Sequence, residues 1–371
     1  MSASSSSQPF STESYFQTQR PPAGLKEKSE KMHQFVEKWK AVNGKKVVLV
    51  TSGGTTVPLE SNTVRFLDNF SAGTRGATSA EYFLSQGYAV IFLHRLHSLR
   101  PFSRHYSHSL NPFLDLLSIV PSSSGSSSSI VVSPDHTKSL LPILQAYHEA
   151  QSSGSLLSVE FQTVNDYLWL LKAVTASMAS LGRRGMFYLA AAVSDFFLPE
   201  ERVAEHKIQS LQGTLSLEMD QVPKVLKPLV QEWTPEGYIV SFKLETDTQL
   251  LIPKSRAALS RYGHQLVIGN ELHRRKYEVV FVERNSMSKP EKGTGDDRIK
   301  GTATPPIMES GESEKLDVAG LEQKEEYKET WLRLDDLKDE GGKGRDGEVE
   351  IEELIIKELL DRHQRWIDAR E

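Results

Sequence analysis

Hydrophobic positions along this chain follow two patterns, and the order of these patterns predicts the fold class. Short runs rich in valine, isoleucine and aromatic residues predict buried strands, whereas apolar residues three and four positions apart predict helices. The predicted strands cover residues 46–51, 88–94, 186–193, 238–244, 265–268 and 278–283. The predicted helices between them cover residues 73–86, 140–150, 164–181, 225–233 and 248–262. This alternation predicts an α/β fold that is Rossmann-like and doubly wound, with a mostly parallel sheet and helices on both faces.

Two further amphipathic helices are predicted at the ends of this alternation. Before the first strand, Ser29 is the predicted N-cap of a helix whose apolar positions are Met32, Phe35, Val36 and Trp39. After the last strand, residues 349–367 carry the same kind of apolar stripe. We expect this last helix to pack on the domain, because its apolar face must be buried against another element.

Polar segments set the predicted domain boundaries. Residues 1–28 are rich in serine, glutamine and proline and predict a disordered tail. Residues 121–129 are mostly serine and predict a solvent loop inserted in the domain, and the charged residues 285–348 predict a disordered insertion. We therefore predict a folded domain over residues 29–284 that is completed by a C-terminal helix within residues 349–371.

Composition and charge exclude several classes of function. The net charge of −5 and the absence of a basic stripe argue against binding to nucleic acid. The chain has no cysteine, which excludes disulfides, thiolate metal sites and a cysteine nucleophile, and its histidines lack metal-ligand spacing. It also lacks a secretory signal and an apolar run of the ~18 residues that a membrane helix needs. We expect a cytoplasmic protein with no membrane partner and no metal ligands of its own, although nuclear presence is not excluded.

Two glycine turns carry the first sign of chemistry. The first strand ends at Ser52-Gly53-Gly54, and a second turn over residues 71–76 opens the next helix. A strand, a glycine turn and a helix together let backbone N–H groups approach a phosphate closely. Arg65 and Asn69 lie in the polar loop between the two turns, where they suit a polyanionic ligand better than a packing role. These features predict a nucleotide site.

Polar residues at other strand ends predict a cleft. Asp195 follows one strand, Lys243 and Glu245 end another, and Asn270 follows a third. Because the carboxyl ends of parallel strands share one edge of the sheet, we expect these residues to line a common site. Lys207 lies in the loop after the Asp195 strand, and we expect it to extend over the phosphates as a point charge.

Two other functions share parts of this pattern. An NADP-dependent oxidoreductase of the Rossmann type begins with the same strand, glycine turn and helix. It normally has an acidic residue after the second strand to bind the ribose, whereas that strand ends here in His94-Arg95, which suits only NADP. A non-catalytic scaffold subunit of the same fold is the second alternative, although Asn69, Asp195 and Lys207 argue against lost chemistry.

Seven segments in a fixed order resemble one enzyme family. They are VTSGGTTVPLE, VRFLDNFSAGTRGATSAEYFL, AAAVSDFF, HKIQS, VPKVL, SFKLETD and VIGN. The chain resembles the phosphopantothenoylcysteine synthetases (phosphopantothenate–cysteine ligases) of the monofunctional eukaryotic type, over residues 29–110, 160–285 and 349–369. The resemblance implies a ligase of coenzyme A biosynthesis that uses ATP, or CTP, with Mg²⁺. It activates the 4′-phosphopantothenate carboxylate as an acyl-nucleotide, releases pyrophosphate and then forms an amide with L-cysteine.

The resemblance also assigns roles to residues and implies partners. It implies a homodimer with a dimerisation element and shared active sites, and association with other enzymes of the pathway is a further hypothesis. The catalytic residues it implies are Asn69 and Lys207. The nucleotide-binding residues it implies are Gly53, Ser71, Gly73, Gly76, Phe242 and Asn270. The implied substrate-binding residues are Asn69, Ala191, Ala192, Asp195 and, from the neighbouring subunit, Arg65.

Overall fold

The structure, a computed structural model, describes residues 10–106, 113–121, 128–209, 213–285, 326–337 and 349–369. Within these ranges, no helix combines the length and apolar character needed to cross a membrane. The helices are α1 (Thr12–Thr18), α2 (Leu25–Lys40), α3 (Thr74–Ser85), α4 (Pro134–Ser153), α5 (Val164–Met178), α6 (Leu226–Pro228), α7 (Thr248–Tyr262) and α8 (Ile351–Asp368). Shorter helical turns cover Ser103–His105, Phe113–Leu116, Ala179–Arg184, Glu200–Arg202, Leu229–Trp233 and Leu334–Leu337.

A sheet of eight strands forms the centre of the described structure. Its strands are β1 (Val47–Ser52), β4 (Ala89–Arg95), β7 (Leu156–Phe161), β8 (Gly185–Leu189), β11 (Tyr238–Glu245), β12 (Leu266–Glu271), β13 (Glu278–Arg284) and β14 (Tyr327–Arg333). They lie in the order β14-β13-β12-β11-β8-β1-β4-β7. Neighbouring strands from β12 to β7 are parallel to each other. β13 is antiparallel to both of its neighbours, β12 and β14. The predicted mostly parallel, doubly wound sheet is confirmed.

Three small hairpins accompany this sheet. They pair β2 (Thr56–Pro58) with β3 (Phe66–Asp68), β5 (Leu117–Pro121) with β6 (Ser128–Val132), and β9 (Phe196–Phe197) with β10 (Asp220–Gln221). The β2–β3 hairpin follows β1, and the β9–β10 hairpin follows β8. Both hairpins therefore start from the carboxyl edge of the central sheet.

The order in which successive strands are added to the sheet reverses between β1 and β8. From β1 the chain moves outward to β4 and β7, and it then returns to β8 on the other side of β1 before continuing to β11 and β12. In open α/β sheets, such a switch point opens a crevice outside the carboxyl ends of the two central strands. The fold therefore places the expected ligand crevice next to Ser52 and Leu189.

Apolar residues on both faces of the sheet form the core. On one face, α2 and α5 pack against β1, β4 and β8, while α7 packs against β12 and β13. On the other face, α3 and α8 pack against the same central strands. Every residue of β1 is buried, as expected for a parallel strand covered by helices on both sides. α8 therefore packs on the domain as its apolar stripe requires.

The N-terminal segment differs from its prediction. The prediction of a disordered tail over residues 1–28 is wrong for residues 10–28, and residues 1–9 lie outside the described ranges. Tyr15 of α1 is fully buried, and its ring packs edge-on against Phe197. α2 begins at Leu25, and its N-cap is Gly24. The predicted N-cap, Ser29, instead lies inside the helix, where its hydroxyl donates to the Leu25 carbonyl. A few aromatic residues therefore order a segment whose composition is otherwise polar.

Two inserted segments and the predicted element list also need correction. The prediction of disorder over residues 285–348 is wrong for β14, which pairs with β13 along seven residues. The predicted serine-rich loop over residues 121–129 begins and ends in the β5–β6 hairpin. Residues 122–127, 286–325 and 338–348 lie outside the described ranges. The apolar-run criterion also missed β7, because its serine and glutamate interrupt the run.

Two buried histidines make the fold sensitive to acid. Burial lowers the pKa of both His264 and His363 to about 4, from an ordinary value of 6.5. Each is therefore neutral in the folded chain while the unfolded chain takes up a proton as the pH falls through 6.5. We expect the free energy of unfolding to hold steady above that pH and to decrease between pH 6.5 and 4, by about 2 kcal/mol per histidine at pH 5. Urea denaturation at several pH values measures this decrease.

Matched substitutions separate this effect from general acid denaturation. His363→Gln is expected to flatten the decrease between pH 6.5 and 5, whereas His33→Gln, at an exposed position of α2, leaves it unchanged. A wild-type stability that stays constant from pH 7 to pH 5 would contradict the prediction.

Candidate active site

The turn after β1 and the segment after β8 form one hydrogen-bonded unit at the switch point. The N–H of Ala192 donates to the Gly53 carbonyl at 2.8 Å, and the N–H of Thr55 donates to the Ala192 carbonyl at 3.0 Å. Thr51 Oγ1 accepts from the Ala191 N–H at 3.1 Å. The predicted strand over residues 186–193 therefore ends early, at Leu189, because its last residues bend towards the glycine turn. The structure brings together the predicted residues Gly53, Ala191 and Ala192.

Close packing attaches the second glycine turn to the first. A side chain at Gly54 would collide with the Asn69 carbonyl, and one at Gly76 would collide with the side chain of Ser52. Ser52 Oγ also donates to the carbonyl of Gly73, the N-cap residue of α3, at 3.0 Å. The N-terminus of α3 therefore lies directly beside the end of β1. A helix N-terminus at this place presents free N–H groups and a positive dipole end, which suit a phosphate.

The β2–β3 hairpin brings Asn69 to the same place. The backbone N–H of Asn69 donates to the Thr55 carbonyl at 3.1 Å, while its side chain is exposed. Ser71 is half-buried, and its hydroxyl accepts weakly from the Gly73 N–H at 3.4 Å. The segment between the first glycine turn and α3 therefore contains Asn69, Ser71 and Gly73.

Arg95 has a partner within the protein. Its guanidinium donates to Asp68 Oδ1 at 2.7 Å, and only 13% of its side chain is exposed. The NADP alternative needed this guanidinium to face a ribose phosphate. Because the ion pair with β3 already engages Arg95, this alternative loses its basic group.

A cavity of about 200 Å³ opens beside the segment after β8. Its lining includes Ala191, Asp195, Phe242 and Lys224, with apolar residues of α5 and of the segment before α6. Lys224 Nζ lies 3.9 Å from Asp195 Oδ1, and 79% of the Asp195 side chain is exposed. The cavity therefore combines an apolar wall with a charged pair at its opening, a combination typical of small-molecule sites.

Phe242 has both a packing role and a surface in the cavity. Its ring packs edge-on against Tyr188 at 4.9 Å between centroids, and the residue is half-buried. Tyr188 is itself held by a 2.9 Å hydrogen bond to Ser79, and burial raises the pKa of the Tyr188 phenol. The core thus fixes the orientation of the Phe242 ring at the cavity wall.

Asn270 is the penultimate residue of β12, two strands away from β8 in the sheet. It is 6% exposed, and its side-chain oxygen is buried without a hydrogen-bond partner among the described residues. An unsatisfied buried amide oxygen costs free energy, and its presence near a strand end fits a polar group supplied by a ligand. Asn270 contacts neither Asn69 nor Lys207 through any hydrogen bond that the structure describes.

Lys207 lies in a loop that packs beside the β2–β3 hairpin. The Lys207 side chain is exposed, and it makes no ion pair within the described ranges. The Ser61 and Asn62 N–H groups donate to carbonyls of this loop at 2.8 and 3.1 Å. Arg65 belongs to the same contact, and its guanidinium bonds to Glu60 and to the Ile208 carbonyl of its own chain. That Arg65 serves a neighbouring subunit stays a prediction.

Three charged residues around the site were missed by the sequence analysis. Glu60 is fully buried beneath the lysine-bearing loop, and Lys224 faces Asp195. Arg75, beside Gly76, pairs with Glu352 of α8 at 2.9 Å. Lys224 and Arg75 lie inside segments that carried the family resemblance, so position within those segments was an available signal. Glu60 is the last residue of the segment VTSGGTTVPLE and had the same signal, although only the folded chain shows that its carboxylate is buried.

Comparisons with known proteins identify the family of this chain. Residues 155–294 match the family model described as DNA/pantothenate metabolism flavoprotein C-terminal domain. The chain is 40% identical to phosphopantothenate–cysteine ligase CAB2 of Saccharomyces cerevisiae, over 96% of this chain and 86% of that protein. It is 47% identical to the phosphopantothenate–cysteine ligase of Homo sapiens, over 72% and 85% of the two chains.

A solved structure extends the likeness to three dimensions. The structure of a Cab2 mutant in complex with phosphopantothenate-cysteine superimposes with a TM-score of 0.75 at 40% identity, covering 96% of this chain and 99% of that one. The identity and the coverage show the family, and the solved structure shows that the fold is shared. The chain belongs to the phosphopantothenate–cysteine ligase family.

Proposed function

We propose that this chain is a phosphopantothenate–cysteine ligase of coenzyme A biosynthesis that acts through an acyl-nucleotide. The observation that carries the proposal is the convergence of Gly53, Ala191 and Asp195 at the switch point, in a chain that is 40–47% identical to such ligases over most of its length. The fold supports this assignment, since ligands of open α/β sheets bind at this crevice.

In the first step, the carboxylate of 4′-phosphopantothenate attacks the α-phosphorus of ATP. A P–O bond forms, the bond to the β-phosphate oxygen breaks, and pyrophosphate leaves with that electron pair. The step brings several negative charges together, so its catalysis depends on positioning and on groups that offset charge. We assign the glycine turns and Asn270 to the nucleotide, and Asn69, Ala191, Ala192 and Asp195 to phosphopantothenate.

In the second step, the amine of L-cysteine attacks the acyl carbon. The new C–N bond replaces the bond to the AMP oxygen, AMP leaves, and the amine loses a proton to water or to a nearby base. Lys207 is assigned to the reacting phosphate in the first step and to the oxyanion in the second. A lysine suits both, because its compact charge sits on a long, mobile side chain.

Mg²⁺ is proposed to accompany the nucleotide phosphates, whose charge it would offset. No group of three or more acidic or histidine side chains in the described ranges could hold a metal ion. The fit is instead that of a phosphate-bound ion, since Mg²⁺ in such sites keeps several waters and takes one or two carboxylates.

We also propose that the active form is a homodimer. Large apolar side chains are exposed around the β2–β3 hairpin, among them Val64 at 57%, Phe66 at 47% and Phe70 at 82%. Several large apolar side chains exposed within one short segment are typical of an interface. Phe70→Ser is expected to convert the dimer to a monomer in light scattering, whereas Leu144→Ser, on exposed α4, is not. A wild-type monomer at micromolar concentration would contradict the proposal.

The proposed reaction is tested by single-turnover kinetics with ATP, Mg²⁺ and 4′-phosphopantothenate, with and without L-cysteine. Pyrophosphate release is expected to require phosphopantothenate, and AMP release is expected to require cysteine as well. Formation of ADP and phosphate would contradict the acyl-nucleotide route. Turnover with CTP alone would change the nucleotide assignment, and no turnover with either nucleotide would favour the non-catalytic scaffold.

A further inference from the structure

One buried carboxylate joins the loop that carries Lys207 to a second loop that leads to Asn69. The hairpin loop consists of residues 59–65 and leads through β3 to Asn69, and the lysine loop consists of residues 203–209 and contains Lys207. Glu60 of the hairpin loop has no exposed surface. Its carboxylate accepts from the Arg65 N–H at 3.0 Å and from the Ile208 N–H of the lysine loop at 3.4 Å.

Ile208 is held through both of its backbone polar groups. Its N–H donates to Glu60, and its carbonyl accepts from Arg65 Nη2 at 2.6 Å. The same guanidinium donates through Nε to Glu60 Oε1 at 3.0 Å. The carboxylate, the guanidinium and the backbone of Ile208 therefore form a closed ring of contacts. Lys207 is the residue directly before Ile208, so this ring holds its backbone, while its side chain is exposed and makes no ion pair among the described residues.

The charges of the ring are suited to this role. Burial acts to raise the pKa of Glu60, but hydrogen bonds from the N–H groups of Arg65, Ile208 and Val64 and from the Arg65 side chain hold the pKa below its ordinary value. Glu60 is therefore an anion at neutral pH and makes charge-assisted bonds, which are stronger than neutral ones. A neutral amide in its place would keep the shape of the side chain and lose the ion pair.

Backbone hydrogen bonds also connect the hairpin loop to Asn69. The Leu59 N–H donates to the Arg65 carbonyl, and β2 pairs with β3 up to Asp68. The Asn69 N–H then donates to the Thr55 carbonyl. Glu60 thus lies at one end of a short hydrogen-bonded ladder and Asn69 follows the other end.

We propose that Glu60 is a positioning residue for the ligation and that it sets the place of Lys207 relative to Asn69. This inference rests on the proposed function. Glu60 touches no substrate in this role and acts through Ile208 and Arg65. A long lysine side chain reaches a reacting phosphate effectively only when its backbone is fixed, because misplacement by about 1 Å can cost about 100-fold in rate.

The test compares Glu60→Gln with wild type in pyrophosphate release. We expect the rate at saturating substrates to fall about 10- to 100-fold. A double-mutant cycle with Lys207→Ala then separates positioning from general stability, since a residue that acts through Lys207 has no further effect once that lysine is gone. The matched control is Glu200→Gln, because Glu200 pairs with Arg20 on the surface and its loss is expected to leave the rate unchanged. Additive losses from Glu60→Gln and Lys207→Ala would overturn the proposal.

Amide hydrogen exchange supplies a readout that does not depend on turnover. The Ile208 amide is expected to exchange at least about 10-fold faster in Glu60→Gln, while core amides of β1 keep their protection. An unchanged Ile208 amide would overturn the proposal. If wild type released no pyrophosphate, the proposed function would fail while the exchange result still judged the contact itself. Should Glu60→Gln fail to fold, Arg65→Lys serves in its place. It keeps the positive charge but loses the guanidinium that bonds to both Glu60 and the Ile208 carbonyl, and we expect the same increase in the exchange rate of the Ile208 amide.

Discussion

Replacement of Lys207 by alanine is expected to slow pyrophosphate release by about 100- to 1,000-fold. The reason is that a single well-placed donor or cation at the developing charge contributes that much to the rate. Lys207 is exposed and free of ion pairs that the structure describes, while the neighbouring Ile208 is held by Glu60 and Arg65. Its charge is thus available to a ligand from a fixed backbone position. Single-turnover measurement of pyrophosphate release at saturating ATP and 4′-phosphopantothenate provides the rate.

A matched lysine makes the result specific. Lys138 is exposed on α4, far along the chain from the site residues, and Lys138→Ala is expected to keep the wild-type rate. Both variants are expected to keep the wild-type stability, because neither side chain is buried. A Lys207→Ala rate within about threefold of wild type would remove this lysine from the mechanism, since it would correspond to less than about 1 kcal/mol of the barrier.

Arg75→Leu is expected to lower the free energy of unfolding by about 3–5 kcal/mol, which is the usual cost of leaving a buried charge without its partner. Arg75 Nη1 lies 2.9 Å from Glu352 Oε1, and their side chains are only 15% and 11% exposed. Burial raises the pKa of Glu352, and the positive charge of Arg75 opposes that rise. Without the guanidinium, the carboxyl must be buried as an anion or must take up a proton. Urea denaturation at pH 7.5 measures the loss.

Arg75→Leu is also expected to loosen the contacts that hold α3 at the proposed nucleotide site. Arg75 also donates to the Arg275 carbonyl in the turn that follows β12, so it joins α3, α8 and the segment after Asn270. The control is Arg20→Leu, whose ion pair with Glu200 is exposed and contributes at most about 1 kcal/mol. A loss below about 1 kcal/mol for Arg75→Leu would show that the α3–α8 ion pair is not important for stability.

The central strands and the glycine turns were predictable from short stretches of sequence. The run Val47–Val50 is apolar and β-branched, and a parallel strand covered by helices on both faces requires that pattern. Periodicity also identified α5, α7 and α8 to within a few residues. The order of strands and helices then determined the sheet class, and the ordered segments around Gly53, Asn69, Asp195 and Lys207 indicated the family.

Long-range contacts decided the elements that composition misjudged. α1 is ordered because Tyr15 and Phe16 pack on Phe197, Trp169 and Trp233, residues far away in sequence. β14 is ordered because β13 offers it a free edge, although the chain around it is charged. A composition average over such segments is dominated by their polar residues and takes no account of the surface on which a few aromatic side chains can pack.

The sequence by itself therefore determined the α/β class, the glycine turns and the candidate residues, because these depend on the spacing of neighbouring residues. Only the tertiary structure decided which charges have partners. Arg95 pairs with Asp68, Glu60 joins the Arg65 and Ile208 backbones, and the Asn270 side-chain oxygen is buried without a hydrogen-bond partner among the described residues. Hydrogen bonds and burial join residues that can be more than 100 positions apart, and no local pattern records which of them will meet. The physical basis of the site is therefore visible only once the chain is folded.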